Sequence, residues 1–144
     1  MYKLNQLFLI SLSLAFLFSS AKTGSNPEED HVHEAISYYF KAHATGNGEY
    51  LREAFHPVAK LFFVRDNELA QFTLEEYIAM FNGSPQDDED QRIRSIDRIE
   101  IYGNAAIATI TLDYPNALYT DYMSMLKIDG QWKIVNKSFY LSPR

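Results

Sequence analysis

A chain of 144 residues is sized for one domain, and its 47% hydrophobic and 15% aromatic content supplies a packed core, which excludes disorder of the whole. A formal net charge of −6, with no Lys/Arg run interleaved with aromatics, excludes tracking of a phosphate backbone, so no nucleic-acid partner is expected. The absence of cysteine means that the fold holds by packing and not by disulfides.

Met1 to Gln6 carries Lys3 and is followed by the apolar run Leu7 to Phe18 and then by Ser19-Ser20-Ala21. A basic start, a short apolar run and a small-x-small site form the pattern of a secretory signal peptide, with cleavage expected after Ala21. A membrane anchor is the weaker reading, because a spanning helix needs roughly 20 apolar residues. The product is expected to be exported, periplasmic or secreted, with no membrane attachment once the leader is cut. Lacking a cysteine, it offers no lipidation site at the leader's end. Loss of Lys3 and of no acidic group takes the formal charge from −6 to −7. Residues 22–27 read as a linker and residues 28–144 as one domain without internal repeats.

Asn26, Pro27, Glu28 and Glu29 combine an N-cap, a first-turn proline and negative charge at the positive end of the macrodipole, so a helix starts there. Val32, Ala35, Ile36, Tyr39, Phe40 and His43 recur at helical spacing as its buried stripe, and the helix ends at Thr45-Gly46-Asn47-Gly48. A brief second helix over Glu49 to Phe55 is stopped by His56-Pro57. Leu61 to Arg65 and Glu68 to Phe72 read as a first hairpin about Asp66-Asn67. Thr73-Leu74-Glu75-Glu76 fits a capping box, opening a third helix with Leu74, Tyr77, Ile78 and Phe81 inward. Ser84 to Gln91 is an acidic loop, expected to be a solvated charge run and not a cation site.

Two long strands then pair across Gly103-Asn104. Regular pairing puts Ile101 opposite Ala106, Ile99 opposite Ala108, Asp97 opposite Ile110 and Ser95 opposite Leu112, with Arg94 beside Asp113 on the other face. The last two strands, Tyr119 to Leu141, flank Asp129-Gly130, which supplies the positive φ angles of a two-residue type I′ turn. Counting outward from Ile128 and Gln131 pairs Lys127 with Trp132, Met125 with Ile134, Met123 with Asn136, Asp121 with Ser138 and Tyr119 with Tyr140. This face turns from apolar near the turn to polar further out, like the lining of a cavity. Helices first and four long antiparallel strands afterwards make an α+β domain.

Tyr38-Tyr39-Phe40, the step Ala54-Phe55-His56-Pro57, the turn Gly103-Asn104-Ala105-Ala106 and above all Tyr122 to Lys137 resemble the putative lumazine-binding family of the nuclear transport factor 2-like (SnoaL-like) superfamily. The resemblance covers nearly all of the chain after the leader. It implies a cystatin-like cone, a curved antiparallel sheet wrapped around a long N-terminal helix and open at its wide end. That superfamily holds isomerases, dehydratases, cyclases and binding modules, so fold alone does not fix a function. Its ketosteroid isomerases use an inward tyrosine of the first helix and carboxylates on the sheet, to which Tyr39 and Asp121 are loosely comparable.

On the inner face of such a cone Asp121 would be desolvated and suited to acid or base work, with Tyr39 as hydrogen-bond donor. The plainer alternative leaves Asp121 wet and bonded to Ser138. Asn136, Ser138, Met123 and Tyr119 are the further expected ligand-binding residues. His56 is a lesser candidate, because a histidine at a helix end commonly meets a terminal carbonyl. No thiol, G-x-S-x-G, H-E-x-x-H or phosphate-cradling glycine loop is present, so neither a metal nor a cofactor is expected. Trp132 reads as a core residue. The leading expectation is an exported domain holding a small, largely apolar molecule. It is expected to dimerise through an outer sheet face bearing Ile107, Leu126, Val135 and Phe139. The alternatives are an acid/base enzyme of isomerase or dehydratase type using Asp121, and a ligand-free interaction module.

Overall fold

The computed structural model describes residues 26–144; the expected leader, residues 1–21, lies outside them. Helix α1 (Pro27–Thr45) is capped by Asn26, whose side-chain oxygen accepts from the amide of Glu28 at 3.2 Å, and Glu28, Glu29 and Asp30 occupy its first turn. Val32, Ala35, Ile36, Tyr39 and Ala42 form its buried stripe. Gly46 ends it in the left-handed conformation. Helix α2 (Tyr50–Ala54) passes directly into strand β1 (Phe55–Arg65), which starts well before the expected Leu61. The reason is local: Pro57 drives His56 out of helical dihedrals, so the chain extends at once.

Strand β2 (Glu68–Thr73) returns through Asp66 and Asn67, both with positive φ, and helix α3 (Leu74–Ile78) follows. Its capping box is complete. Thr73 Oγ1 accepts from the Glu76 amide at 3.2 Å, and Glu76 Oε2 accepts from the Thr73 amide at 2.8 Å. After a short 3₁₀ turn at Glu89–Gln91 come β3 (Ile93–Tyr102), β4 (Ala105–Tyr114), β5 (Ala117–Ile128) and β6 (Gln131–Pro143). The strands make one curved sheet in the order β2-β1-β6-β5-β4-β3, in which β1 and β6 are parallel and the other neighbours antiparallel. Helix α1 is pinned to the tip of the last hairpin. Lys127 Nζ and Trp132 Nε1 both donate to the Glu28 carboxylate, at 2.7 and 3.0 Å, and together they hold it below the usual carboxylate range.

Both long hairpins depart from regular register, each at one residue. In the β5/β6 pair the expected partners hold from Ile128 with Gln131 to Met125 with Ile134, and then Ser124 pairs with Asn136. Val135 is therefore an extra residue, a β-bulge, and every later side chain of β6 changes face. The expected pairs of Met123 with Asn136, Asp121 with Ser138 and Tyr119 with Tyr140 are replaced by Met123 with Lys137, Asp121 with Phe139 and Tyr119 with Leu141. The β1/β6 register breaks at the same level, between Phe55 and Lys60, where Pro57 has no amide to offer a ladder.

In the β3/β4 pair Ile99 faces Ala108 and Ile101 faces Ala106 as expected, but Asp97 is skipped and Ile96 faces Ile110. The Asp97 carboxylate accepts from Ser95 Oγ at 3.0 Å and Thr111 Oγ1 at 2.7 Å. Asp113 consequently lies opposite Ile93, and its ion partner is Arg144 at 2.7 Å instead of Arg94. Arg94 turns inward. Phe139, expected on the outer face, is likewise on the inner one, where it stacks on Phe63.

Candidate active site

The β6 bulge carries Lys137 to the inner face, and there it meets the two residues that the sequence singles out. The Tyr39 hydroxyl donates to Asp121 Oδ2 at 2.6 Å, Lys137 Nζ donates to the Tyr39 hydroxyl at 2.7 Å, and Lys137 Nζ stands 3.0 Å from Asp121 Oδ2. Asp121 and Tyr39 are wholly buried and Lys137 is 3% exposed. Among the described residues Asp121 Oδ1 has no hydrogen-bond partner, which leaves a buried acceptor costing about 1 to 3 kcal/mol. Ion pairs taken this far out of water contribute little net stability, because each charge loses several kcal/mol of hydration.

Burial lowers the Lys137 ammonium from its ordinary range, and the Asp121 carboxylate only partly opposes this. Burial and then the Asp121 charge push the Tyr39 phenol well above its ordinary range, so it stays a donor. Lys137 Nζ lies 4.7 Å from the ring centre of Phe139, 4.9 Å from that of Tyr39 and 5.4 Å from that of Tyr77.

Above this group opens a cavity of about 1040 Å³. Phe72, Phe63 and Phe139 form one wall, the central Phe63 ring lying 5.0 Å from each of the other two and inclined to each by 26°. Its polar side carries His43, Tyr77, Tyr114, Tyr119 and Lys137. Of the expected site residues, Tyr119 lines the cavity. Tyr39, Asp121 and Met123 lie behind its wall in the core. Asn136 and Ser138 are not on the wall, because the Val135 bulge turns both to the other face. His56 is also absent from it; its Nδ1 accepts from the Val58 amide at 3.4 Å.

A second polar chain runs beside the first. His43 Nε2 is 2.8 Å from the Tyr77 hydroxyl, and His43 Nδ1 is 3.3 Å from the Tyr114 hydroxyl. Arg94 Nε donates to the Tyr114 hydroxyl at 3.2 Å while its other nitrogens make a two-pronged pair with Glu89, both contacts 2.7 Å. Arg92, paired with Asp88 at 2.6 Å, covers the Tyr114 ring. The acidic loop thus anchors two arginines instead of merely facing water. Burial, and then the positive charges of Lys137, Arg94 and Arg92, hold His43 well below its ordinary range. A neutral imidazole has one donor and one acceptor, so one of the two tyrosines donates to it and the other accepts from it. The accepting tyrosine keeps its own O–H for another partner.

Lys137, Arg94 and Tyr114 are the site members that regular strand counting hides, since the first two reach it only through bulges. Among the described residues no group of three or more His, Cys, Asp and Glu side chains could hold a metal ion.

A long first helix on a curved six-stranded sheet, with the cavity at one end, defines a nuclear transport factor 2-like cone. The family profile described as "Putative lumazine-binding" matches residues 27–140, and the chain belongs to that family. Aldolase FrzH of Cladobotryum sp is 30% identical over 127 residues, covering 86% of this chain and 99% of that one. Among solved structures, an NTF2-like protein of unknown function from Shewanella baltica is 27% identical with a TM-score of 0.76, covering 85% of this chain and 99% of its own. One from Methylobacillus flagellatus is 29% identical with a TM-score of 0.72, covering 83% and 96%. The CaMKII hub of S. rosetta, 17% identical with a TM-score of 0.59 over 78% and 95%, shares the fold alone.

Proposed function

We propose that the chain takes a small, flat, largely apolar carbonyl compound into the cone and moves protons on it. One observation carries this reading: Lys137 lines the cavity while its Nζ meets Tyr39 and Asp121 directly behind the wall. A lysine in such a setting exchanges its proton with the adjacent carboxylate, which is the requirement for removing or returning a proton next to a carbonyl group. The stacked phenylalanines favour a planar ligand, and the spare tyrosine O–H suits a carbonyl oxygen. The aldolase name of the relative from Cladobotryum supports carbon-acid chemistry, since aldol reactions begin with removal of such a proton. Within this reading Asp121 and Tyr39 set the state of Lys137, which is the group in contact with the ligand. Export behind the leader and pairing of two copies through the outer sheet face belong to the same reading.

The test is hydrogen–deuterium exchange in D2O, followed by NMR, at the carbon next to the carbonyl of cyclohexanone and acetophenone. The protein should accelerate exchange over buffer by about 10² or more, and Lys137→Met and Asp121→Asn should each remove most of that acceleration. Exchange at the buffer rate, with neither probe shifting a protein resonance of the cavity, would sink the proposal.

A further inference from the structure

Asp121 and Tyr39 are wholly buried and absent from the cavity wall, whereas Lys137 is on it, so of the three side chains the lysine is the one that borders the cavity. Three aromatic rings within 5.4 Å of Nζ keep the approach apolar, and Asp121 Oδ2 at 3.0 Å is placed to take the ammonium proton. Asp121 Oδ1, without a partner among the described residues, is a second buried oxygen able to carry that proton. A neutral amine beside a phenolic donor and aromatic rings is the arrangement that adds to carbonyl carbon.

We propose that Lys137 forms a covalent imine with a ketone or aldehyde bound in the cavity. This rests on the reading of the cavity as an active site and goes one step further, from proton transfer to bond formation. Asp121 takes the ammonium proton. The Nζ lone pair forms a C–N bond to the carbonyl carbon as the C=O π pair moves to oxygen, which takes a proton from the free tyrosine O–H of the Tyr77–His43–Tyr114 chain. The nitrogen of the adduct returns a proton to that tyrosine, giving the neutral carbinolamine. Asp121 then hands the proton it took to the carbinolamine hydroxyl as the C–O bond breaks under the nitrogen lone pair, so that water leaves and Asp121 is again a carboxylate. In sum, carbonyl and ammonium give protonated imine and one water, with no oxidant or reductant. The burial that lowers the Lys137 ammonium makes the free amine accessible, and the positive imine keeps the Asp121 carboxylate paired after the bond has formed. An imine also draws electrons from the neighbouring carbon far better than the parent carbonyl, which serves the proton removal proposed above.

The experiment is reductive trapping. The full chain is incubated with cyclohexanone or benzaldehyde, reduced with sodium cyanoborohydride, and analysed as intact protein and as peptides by mass spectrometry. One adduct should be found, located on Lys137, with labelling about tenfold or more above that of Lys60 or Lys133. Mapping of the adduct needs no variant, and Lys137→Arg, which keeps a positive charge, should abolish it while circular dichroism confirms the fold. Labelling spread evenly over surface lysines, or an unlabelled Lys137 in a protein that still catalyses deuterium exchange, overturns the imine and leaves proton transfer standing. Absence of both labelling and exchange overturns the two together.

Discussion

His43 illustrates how far one residue's setting decides its chemistry. Its ring is enclosed by Tyr39, Tyr77, Phe81 and Tyr114, and the nearby charges of Lys137, Arg94 and Arg92 are all positive, so protonation is opposed from every side. The native state thus declines a proton that the unfolded chain accepts once pH drops below about 6.5. Stability is fully present above that value and falls as pH decreases toward the depressed native value, by up to about 1.4 kcal/mol per pH unit from this group. Urea unfolding at roughly pH 7.5 and 5.5 should show the parent losing more stability on acidification than His43→Asn does. Equal losses would mean that His43 is not held neutral. The same setting explains why Tyr39 and Asp121 could be picked from the sequence while their third partner could not. Both stand on regular stretches, where helical spacing and strand alternation point the right way, whereas Lys137 follows an irregularity.

At the level of elements the bulges decide which side chains reach the cavity, and the sequence does carry their trace. In β6 the inward apolar residues fall on even positions at Trp132 and Ile134 and on odd ones at Phe139 and Leu141; in β3 they pass from Ile96 to Ile99 and Ile101. A change of parity within one strand is the sign of an inserted residue, and counting in strict alternation from the turn overrides it. The helices were more legible, because capping chemistry is local: Asn26 and the Thr73–Glu76 box act where they stand. The loop after α3 was not, since its attachment is to residues distant in sequence. Gly46, with φ +66°, accepts from the Gly83 amide at 2.8 Å, and a Cβ there would lie 1.8 Å from the Ser84 carbonyl oxygen. Gly46→Ala should cost roughly 2 to 4 kcal/mol, from the left-handed backbone and the overlap together. It should also raise amide hydrogen exchange in residues 83–91, loosening the Asp88 and Glu89 anchors of Arg92 and Arg94. Unfolding at the parent's urea midpoint would show that the loop moves aside freely.

For the molecule as a whole, element order and family follow from sequence, while the composition of the sheet's outer face depends on the bulges. Ile107 is 53% and Tyr122 56% exposed, diagonal to one another across β4 and β5 with Ser124 directly opposite Ile107, and Leu126 lies further along the same face. Phe139 does not join them, having been turned inward by the bulge, so the apolar strip is narrower than alternation suggests. The proposed pairing uses this strip, each copy offering the same apolar side chains to the other. Native mass spectrometry of the protein expressed with residues 1–144 and purified from its host tests the proposed pairing and the proposed export together. The expected species is a dimer of chains that begin at Lys22. Replacing Ile107 and Tyr122 together by glutamate places like charges opposite one another across the two-fold and should give monomer at micromolar concentration, with an unchanged circular dichroism spectrum because neither side chain belongs to the core. A parent that is already monomeric refutes the pairing. A variant that remains dimeric moves the interface to another surface, and a chain that keeps residues 1–21 removes the case for export.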